Sequence, residues 1–414
     1  MLRIGIIGCG RILAAHLRGY RLLREVGFDD FRITALCSRK ESDALGYLAR
    51  GQGPKQRTPV SDMPGDPLAV GDEYLSDFQD VDDVKIYTDY KKLIKEGHVD
   101  AINDFSTHAL HHEIAKKTLN AGKHLLTQKP LAATIKAALG MCEHAERSGL
   151  VFGVFENARF RPGTRNLYWL FHGGPGGRLQ LALSGNVARW WAPNRIVAET
   201  PWRHKRLEAG GITLDLGVHQ FNVIRYLAGE VKWVEGRASV IEPRRITLNG
   251  NGEEVDSIDC DADDTCFASF ETVEGVQGSL TASWAGHGGA TTFGPGMVFH
   301  GSGGKAAGDE FTNDEGQTAS LSQLYQEQAD AKIRQQDFPI ATEDNFALTQ
   351  HDWLEGIRYQ RRPEIDGREG LQDLACAYAV LESSLAGRRV NVQDVLDGKV
   401  EAYQAPLNRH FGIE

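Results

Sequence analysis

The chain has 414 residues, 41% apolar and 25% charged, which suits two soluble-type domains of about 150 residues or more, each burying its own core. With 46 basic against 56 acidic residues the net charge is −10, which argues against a general nucleic-acid or anionic-membrane binder and leaves room for a small anionic ligand held by a local cation. No run approaches the ~18 apolar residues of a membrane span, no leader pattern is read, and six scattered cysteines (9, 37, 142, 260, 266, 376) suit reduced thiols in a cytoplasm.

The opening run, MLRIGIIGCGRILAAHL, predicts a strand over 3–8 that turns through Gly8 and Gly10 into a helix over 12–25. Gly8 permits a tight turn, and Gly10 lets the backbone approach a pyrophosphate at the positive end of the helix. Arg11 and Ile12 complete this candidate dinucleotide loop; Leu13 stands where a third glycine is usual, relaxing helix–strand packing rather than phosphate contact.

A second strand, 32–38, ends in Cys37-Ser38-Arg39-Lys40. An acidic residue there would bind the ribose 2′-hydroxyl of NAD. Ser38 can instead donate to a 2′-phosphate that Arg39 or Lys40 neutralises, so NADP is favoured over NAD. The alternative is that a carboxylate from the following segment serves NAD. That segment, 51–84, is rich in Gly, Pro and Asp and reads as a long surface insertion: loop, or a cap on the cofactor or a neighbouring subunit.

Helices are expected over 90–96, 110–121 and 134–148 (Gly149 as a stop), and strands over 101–105, 124–127 and 151–155. This alternation predicts βαβ units on a doubly wound parallel sheet, a Rossmann domain spanning 1–155. Ser106, Thr107, His108 and His111 follow one strand at an edge suited to the nicotinamide ribose, although both histidines could equally lie on the surface of a helix start. Gln128, Lys129 and Pro130 follow the next. A lysine at a strand's carboxyl end can hydrogen-bond a substrate hydroxyl and stabilise a developing alkoxide.

Beyond residue 156 the texture changes. Strands over 179–187, 231–241, 265–271, 276–282 and 296–300 follow with few crossover helices, and 272–275 supplies a hairpin turn. Segments 301–308 and 313–342 read as loops or a second insertion, and helices 345–359 and 367–386 close the chain. This predicts an α+β domain over 156–414 with an open, mainly antiparallel sheet. Arg159, Arg161, Trp190, Trp191, Trp202 and Arg203 are residue types of sugar pockets, and equally of cores and interfaces. No metal site is expected, because Cys260 and Cys266 lack a second ligand pair.

Asp215, His219 and Asn222, at i, i+4 and i+7, would share one helix face beside an apolar stripe of Leu214, Val218, Phe221 and Ile224. His219 there can be a general base near neutral pH, with Asp215 orienting the imidazole or touching substrate. The competing reading is a core histidine beside a capping aspartate, which the tight turn at Gly210-Gly211 disfavours.

Three ordered motifs, IGIIGCGRI, AGKHLLTQKPLAAT and GGITLDLGVHQFN, together with VLESSLAGRRV, resemble the Gfo/Idh/MocA family over nearly the whole length. The resemblance implies a Rossmann domain followed by a domain with an open, mainly antiparallel sheet, through which members form dimers or tetramers. It also implies oxidation of a sugar, glycoside or cyclitol hydroxyl with NAD or NADP. Lys129, Asp215 and His219 fall at catalytic positions: His219 would take the hydroxyl proton, Lys129 would steady the alkoxide and Asp215 would assist. Gln128, beside the cofactor in this reading, replaces a usual glutamate, and Asn222 replaces a common aspartate. Redox-neutral glycoside cleavage and a non-catalytic nucleotide sensor are alternatives; retention of Lys129, Asp215 and His219 speaks against the sensor.

Overall fold

A computed structural model describes residues 1–187, 193–288 and 291–413. Two units emerge from the backbone contacts: Met1–Ala133 with Ala137–Phe160 and Ile340–Leu371, and Thr134–Lys136 with Arg161–Pro339 and Gln372–Glu414. The division read from the sequence, at 155/156, differs in placing 340–371 with the later half. Phe346, Trp353 and Leu354 of helix Asn345–Tyr359 are buried in the first unit's core. Trp353 donates its indole N–H to the Leu125 carbonyl (3.1 Å). Such a return is a non-local contact that periodicity cannot reveal.

The first unit carries strands β1 (Leu2–Ile7), β2 (Phe31–Cys37), β3 (Lys85–Tyr87), β4 (Ala101–Asp104), β5 (His124–Gln128) and β6 (Phe152–Phe155). Its helices are α1 (Leu13–Glu25), α2 (Glu41–Leu45), α3 (Tyr90–Glu96), α4 (His111–Asn120) and α5 (Ile135–Ser148). All strand pairs are parallel, in the order β3-β2-β1-β4-β5-β6. Ile4, Ile6, Ile102 and Leu125 are fully buried, as expected when helices cover both faces of a parallel sheet. Strand order reverses between β1 and β4, which is where such sheets open a ligand crevice at their carboxyl ends. Segment 51–84 holds two short helical turns, Pro67–Ala69 and Leu75–Asp77.

The second unit carries α6 (Pro162–His172), β7 (Leu179–Val187), α7 (Ile212–Asp215), α8 (Gly217–Ala228), β8 (Val231–Ser239), β9 (Arg244–Leu248), β10 (Glu254–Asp259), β11 (Thr265–Thr272) and β12 (Gln277–Ser283). β13 (Thr291–Gly301), β14 (Gly304–Ala307), β15 (Glu310–Asn313), β16 (Thr318–Ser320), α9 (Leu321–Gln328), α10 (Ala331–Asp337) and β17 (Val390–Asn391) follow. The nine-stranded sheet runs β16-β15-β14-β13-β7-β12-β11-β8-β17. Its pairs are antiparallel except β7 with β12. The β11–β12 hairpin turns at 272–275, where Thr272 N–H reaches the Val276 carbonyl (2.9 Å).

Segments 301–308 and 313–342, read from the sequence as loops or a second insertion, are not plain loops: this stretch forms β14–β16 with α9 and α10. These strands are three or four residues long and show no clear alternation; their pairing partners specify them. The β9–β10 hairpin was also unforeseen. Arg245 of β9 makes a buried ion pair with Asp264 (3.1 Å). Among the described residues no helix is long and apolar enough to cross a membrane, and the six cysteines are free thiols.

Candidate active site

In the first unit, Gly8 follows β1 with φ +102°, and a Cβ there would lie 2.5 Å from the Phe105 carbonyl, so only glycine fits this crossing past the end of β4. Gly10 differs: a Cβ would meet no atom within 4 Å. Its backbone thus borders open space at the start of α1, whose first turn carries no acidic side chain and whose N-cap Ile12 offers no side-chain cap. A helix end left in this state favours an anion, and the loop fits a dinucleotide's pyrophosphate. The Tyr47 hydroxyl donates to the Gly10 carbonyl (2.9 Å), and Arg11 Nε donates to the Thr58 carbonyl (3.0 Å). Leu13 is fully buried in the core.

At the carboxyl end of β2, Ser38 is half-buried and donates its N–H to the Tyr87 carbonyl (3.1 Å), while Arg39 and Lys40 are exposed. Asp43 of α2 pairs with Arg57 (2.5 Å).

The ends of β4 and β5 adjoin this loop on the same sheet edge. Ser106, half-buried, donates its N–H to Asp104 (3.0 Å), whose buried carboxyl is pushed above its ordinary range by desolvation. His108 and His111 are buried, not surface residues. His111 donates through Nδ1 to the Pro130 carbonyl (3.0 Å), bracing the turn that carries Lys129. Gln128 accepts the Lys129 N–H through Oε1 (2.9 Å), and its Nε2 meets His16 Nε2 at 3.2 Å. Burial holds His16 well below its ordinary pKa, so the neutral ring accepts the amide proton. His16 also stacks on Phe105 at 3.5 Å. The sequence reading missed His16; the only available signal was the amide at 128 where the family carries a carboxylate. Lys129 itself is half-buried.

In the second unit, the Gly210-Gly211 turn seats α7 on Asp263. The Ile212 N–H reaches the Asp263 carbonyl (2.8 Å), and Thr213 donates both N–H (3.0 Å) and hydroxyl (2.6 Å) to the Asp263 carboxylate. Gly211 has φ +112°, and a Cβ would collide with that carboxylate. Burial raises the Asp263 carboxyl to about 6, against the opposing Thr213 hydrogen bonds. No local pattern had singled out Asp263.

Asp215 ends α7 and His219 lies in the first turn of α8, the two helices meeting at Leu216 rather than running as one. Asp215 is buried and takes a hydrogen bond from Arg203 Nε (2.9 Å). His219 is half-buried. Asn222 is fully buried, donating to Asp373 (2.7 Å), which also pairs with Arg225 (2.5 Å). Leu214, Val218, Phe221 and Ile224 are buried, as their spacing implies.

The remaining described candidates divide between the two units. Arg159 is buried in the first unit, paired with Glu369 (2.7 Å), while Arg161 is exposed at the start of α6 in the second. Arg203 lies over the half-buried Trp202 ring (4.4 Å) and donates to the Thr200 hydroxyl (2.6 Å). Next to it, His204 is buried and accepts the Val197 N–H (3.0 Å). Burial, then the charges of Arg245 and Arg203, push this imidazole down to about 3. Trp190 and Trp191 lie outside the described residues.

A dinucleotide-type parallel sheet followed by a mixed, mostly antiparallel sheet is the architecture of a large class of oxidoreductases. Residues 2–156 match the oxidoreductase family's NAD-binding Rossmann fold, and residues 177–307 match the GFO/IDH/MocA C-terminal domain. The chain belongs to the Gfo/Idh/MocA family. It is 29% identical to the D-xylose dehydrogenase of Paenarthrobacter nicotinovorans over 48% of this chain and 51% of that protein. It is 24% identical to the myo-inositol 2-dehydrogenase of Thermotoga maritima over 95% of this chain and 100% of that protein. The chain spans about half the length of the D-xylose dehydrogenase and of the levoglucosan dehydrogenase of Pseudarthrobacter phenanthrenivorans. Among solved structures, levoglucosan dehydrogenase in complex with NADH and L-sorbose superposes with a TM-score of 0.71 at 20% identity, covering 95% of this chain and 100% of that one.

Proposed function

We propose that this protein is an NAD(P)-dependent oxidoreductase that transfers hydride between the carbon of a secondary hydroxyl, on a sugar, glycoside or cyclitol, and the nicotinamide. One observation carries the reading: the open glycine loop after β1, the Ser106 turn after β4 and Lys129 after β5 share one edge of a parallel sheet where strand order reverses. Relatives named as xylose, levoglucosan and inositol dehydrogenases support the substrate class.

The nicotinamide, when bound, supplies the hydride acceptor. Gly8, Gly10, Arg11 and Ile12 hold the phosphates, and Ser106, His108, His111 and Gln128 border or brace the nicotinamide end. Lys129 steadies the substrate oxygen as it gains charge. His219 removes the hydroxyl proton, and Asp215, fixed by Arg203, keeps the imidazole aligned. Arg159, Arg161 and Trp202 are the substrate-contact candidates. The first unit binds dinucleotide; the second binds substrate.

NADP is the preferred cofactor in this reading, because β2 ends without a carboxylate and presents Ser38 and exposed Arg39. The nine-stranded sheet pairs copies of the chain: Leu181 and Phe267, exposed on one face, support this. Free thiols, five of them buried, suit a reducing cytoplasm.

The test is a panel of sugars, glycosides and cyclitols with NAD and with NADP, followed at the reduced-nicotinamide absorbance, alongside Kd values for NADH and NADPH. Reduced nicotinamide should accumulate with at least one substrate, and NADPH should bind more tightly. Dinucleotide binding without turnover on any substrate would point to a sensor. Glycoside cleavage with no net reduced nicotinamide would point to redox-neutral chemistry.

A further inference from the structure

We propose that the insertion at 51–84 is a strap that completes the pyrophosphate end of the dinucleotide site and slows cofactor release; this rests on the dinucleotide reading above. The segment is closed at its base. The amides of Leu75 and Ser76 donate to the Tyr47 and Leu48 carbonyls (2.9 and 3.0 Å), so the chain returns to where it left α2. Its middle is zipped by Gln56, which donates to the Glu73 carbonyl (2.7 Å) and accepts the Asp72 N–H (3.2 Å).

A loop tied in this way has a defined course, and just past the Gln56 zip it meets the glycine loop. The Thr58 carbonyl takes Arg11 Nε, so the strap sets the direction of the first side chain after Gly10. The neighbouring Arg57 is clamped to Asp43 of α2. From the strap's root, the buried Tyr47 hydroxyl holds the Gly10 carbonyl. These contacts converge on the Gly10 turn, whose backbone borders open space beside an uncapped helix start. The Arg11 guanidinium, aimed by the strap, complements a pyrophosphate there, and the Arg57–Asp43 pair anchors the segment that aims it.

The experiment measures NADH and NADPH dissociation rates by stopped-flow displacement from the full chain, with thermal unfolding of each apo variant as the folding control. Arg57→Ala and Tyr47→Phe should each release the dinucleotide about tenfold faster, the scale of one lost charge-assisted or buried hydrogen bond. Association should change little and apo unfolding should stay close to that of the unaltered protein. Gln56→Ala, which loosens the zip, replaces either variant that fails to fold and should act in the same direction. Unchanged release rates in folded variants would overturn the strap while leaving the dinucleotide reading intact. An unaltered protein that bound neither dinucleotide would overturn both.

Discussion

Arg203 donates through Nε to Asp215 Oδ2 at 2.9 Å, with side chains 17% and 9% exposed. The carboxylate assigned to assist His219 is thus itself held by a cation twelve residues upstream, on the 3₁₀ turn Pro201–His204. Arg203→Ala removes that hydrogen bond and its charge, and kcat/KM should fall about 10- to 100-fold, the equivalent of roughly 1.5–3 kcal/mol. Arg203→Lys should recover part of the loss. Steady-state kinetics decide it, and an unchanged kcat/KM in Arg203→Ala would remove the positioning role.

Lys129 and His219 carry the proton and charge work in the proposed reaction. Lys129→Ala and His219→Ala should each lower turnover by at least ~100-fold, the usual scale for general acid–base groups, with little change in dinucleotide Kd. Near-normal turnover in either variant would refute that residue's role.

The two glycines of the first turn should separate by phenotype. Gly8→Ala forces a Cβ against the Phe105 backbone at a positive φ and should cost more than about 3 kcal/mol. Gly10→Ala meets no protein atom, so stability should change by less than about 1 kcal/mol while dinucleotide affinity drops. Thermal unfolding and NADH titration of the pair check this; a Gly10→Ala protein with full affinity would show that no phosphate lies there.

His204 gives a pH signature with a defined sign. Its imidazole sits at about 3 in the folded protein, below the ordinary 6.5. Above pH 6.5 it is neutral in both states; below, the unfolded chain takes up a proton that the folded chain refuses. Stability should therefore be lost as pH falls from 6.5 toward 3, at about 1.4 kcal/mol per pH unit from this group. His204→Gln keeps an acceptor for the Val197 N–H and does not titrate. Urea unfolding at pH 7 and pH 5 should show the unaltered protein losing stability relative to the variant by that slope. Parallel curves would mean the imidazole protonates freely when folded.

The dinucleotide unit was largely legible because its signals are local. An apolar run flanked by glycines marks a buried parallel strand, and helix periodicity shows within a dozen residues. The elements over 2–25 and 90–155 accordingly lie within a residue or two of expectation. β14–β16, α9, α10 and the β9–β10 hairpin were not legible: short strands borrow their conformation from distant partners. Asp215 and His219 were singled out by their spacing, but the break at Leu216 was not, nor was the seating of α7 on Asp263, which lies about fifty residues further on, in the loop before β11.

What the sequence determined by itself was the chemistry on offer: a glycine turn ahead of a helix, a lysine after a buried strand, an aspartate and a histidine four apart. Those depend on residue type and short-range spacing. Tertiary structure alone decided which distant groups restrain them, namely Arg203 on Asp215, His16 on the Gln128 amide that holds the Lys129 N–H, and the strap's Thr58 carbonyl on Arg11. The bonds from Arg203, His16 and Thr58 span 12 to 112 residues of chain, and no local preference encodes those partners.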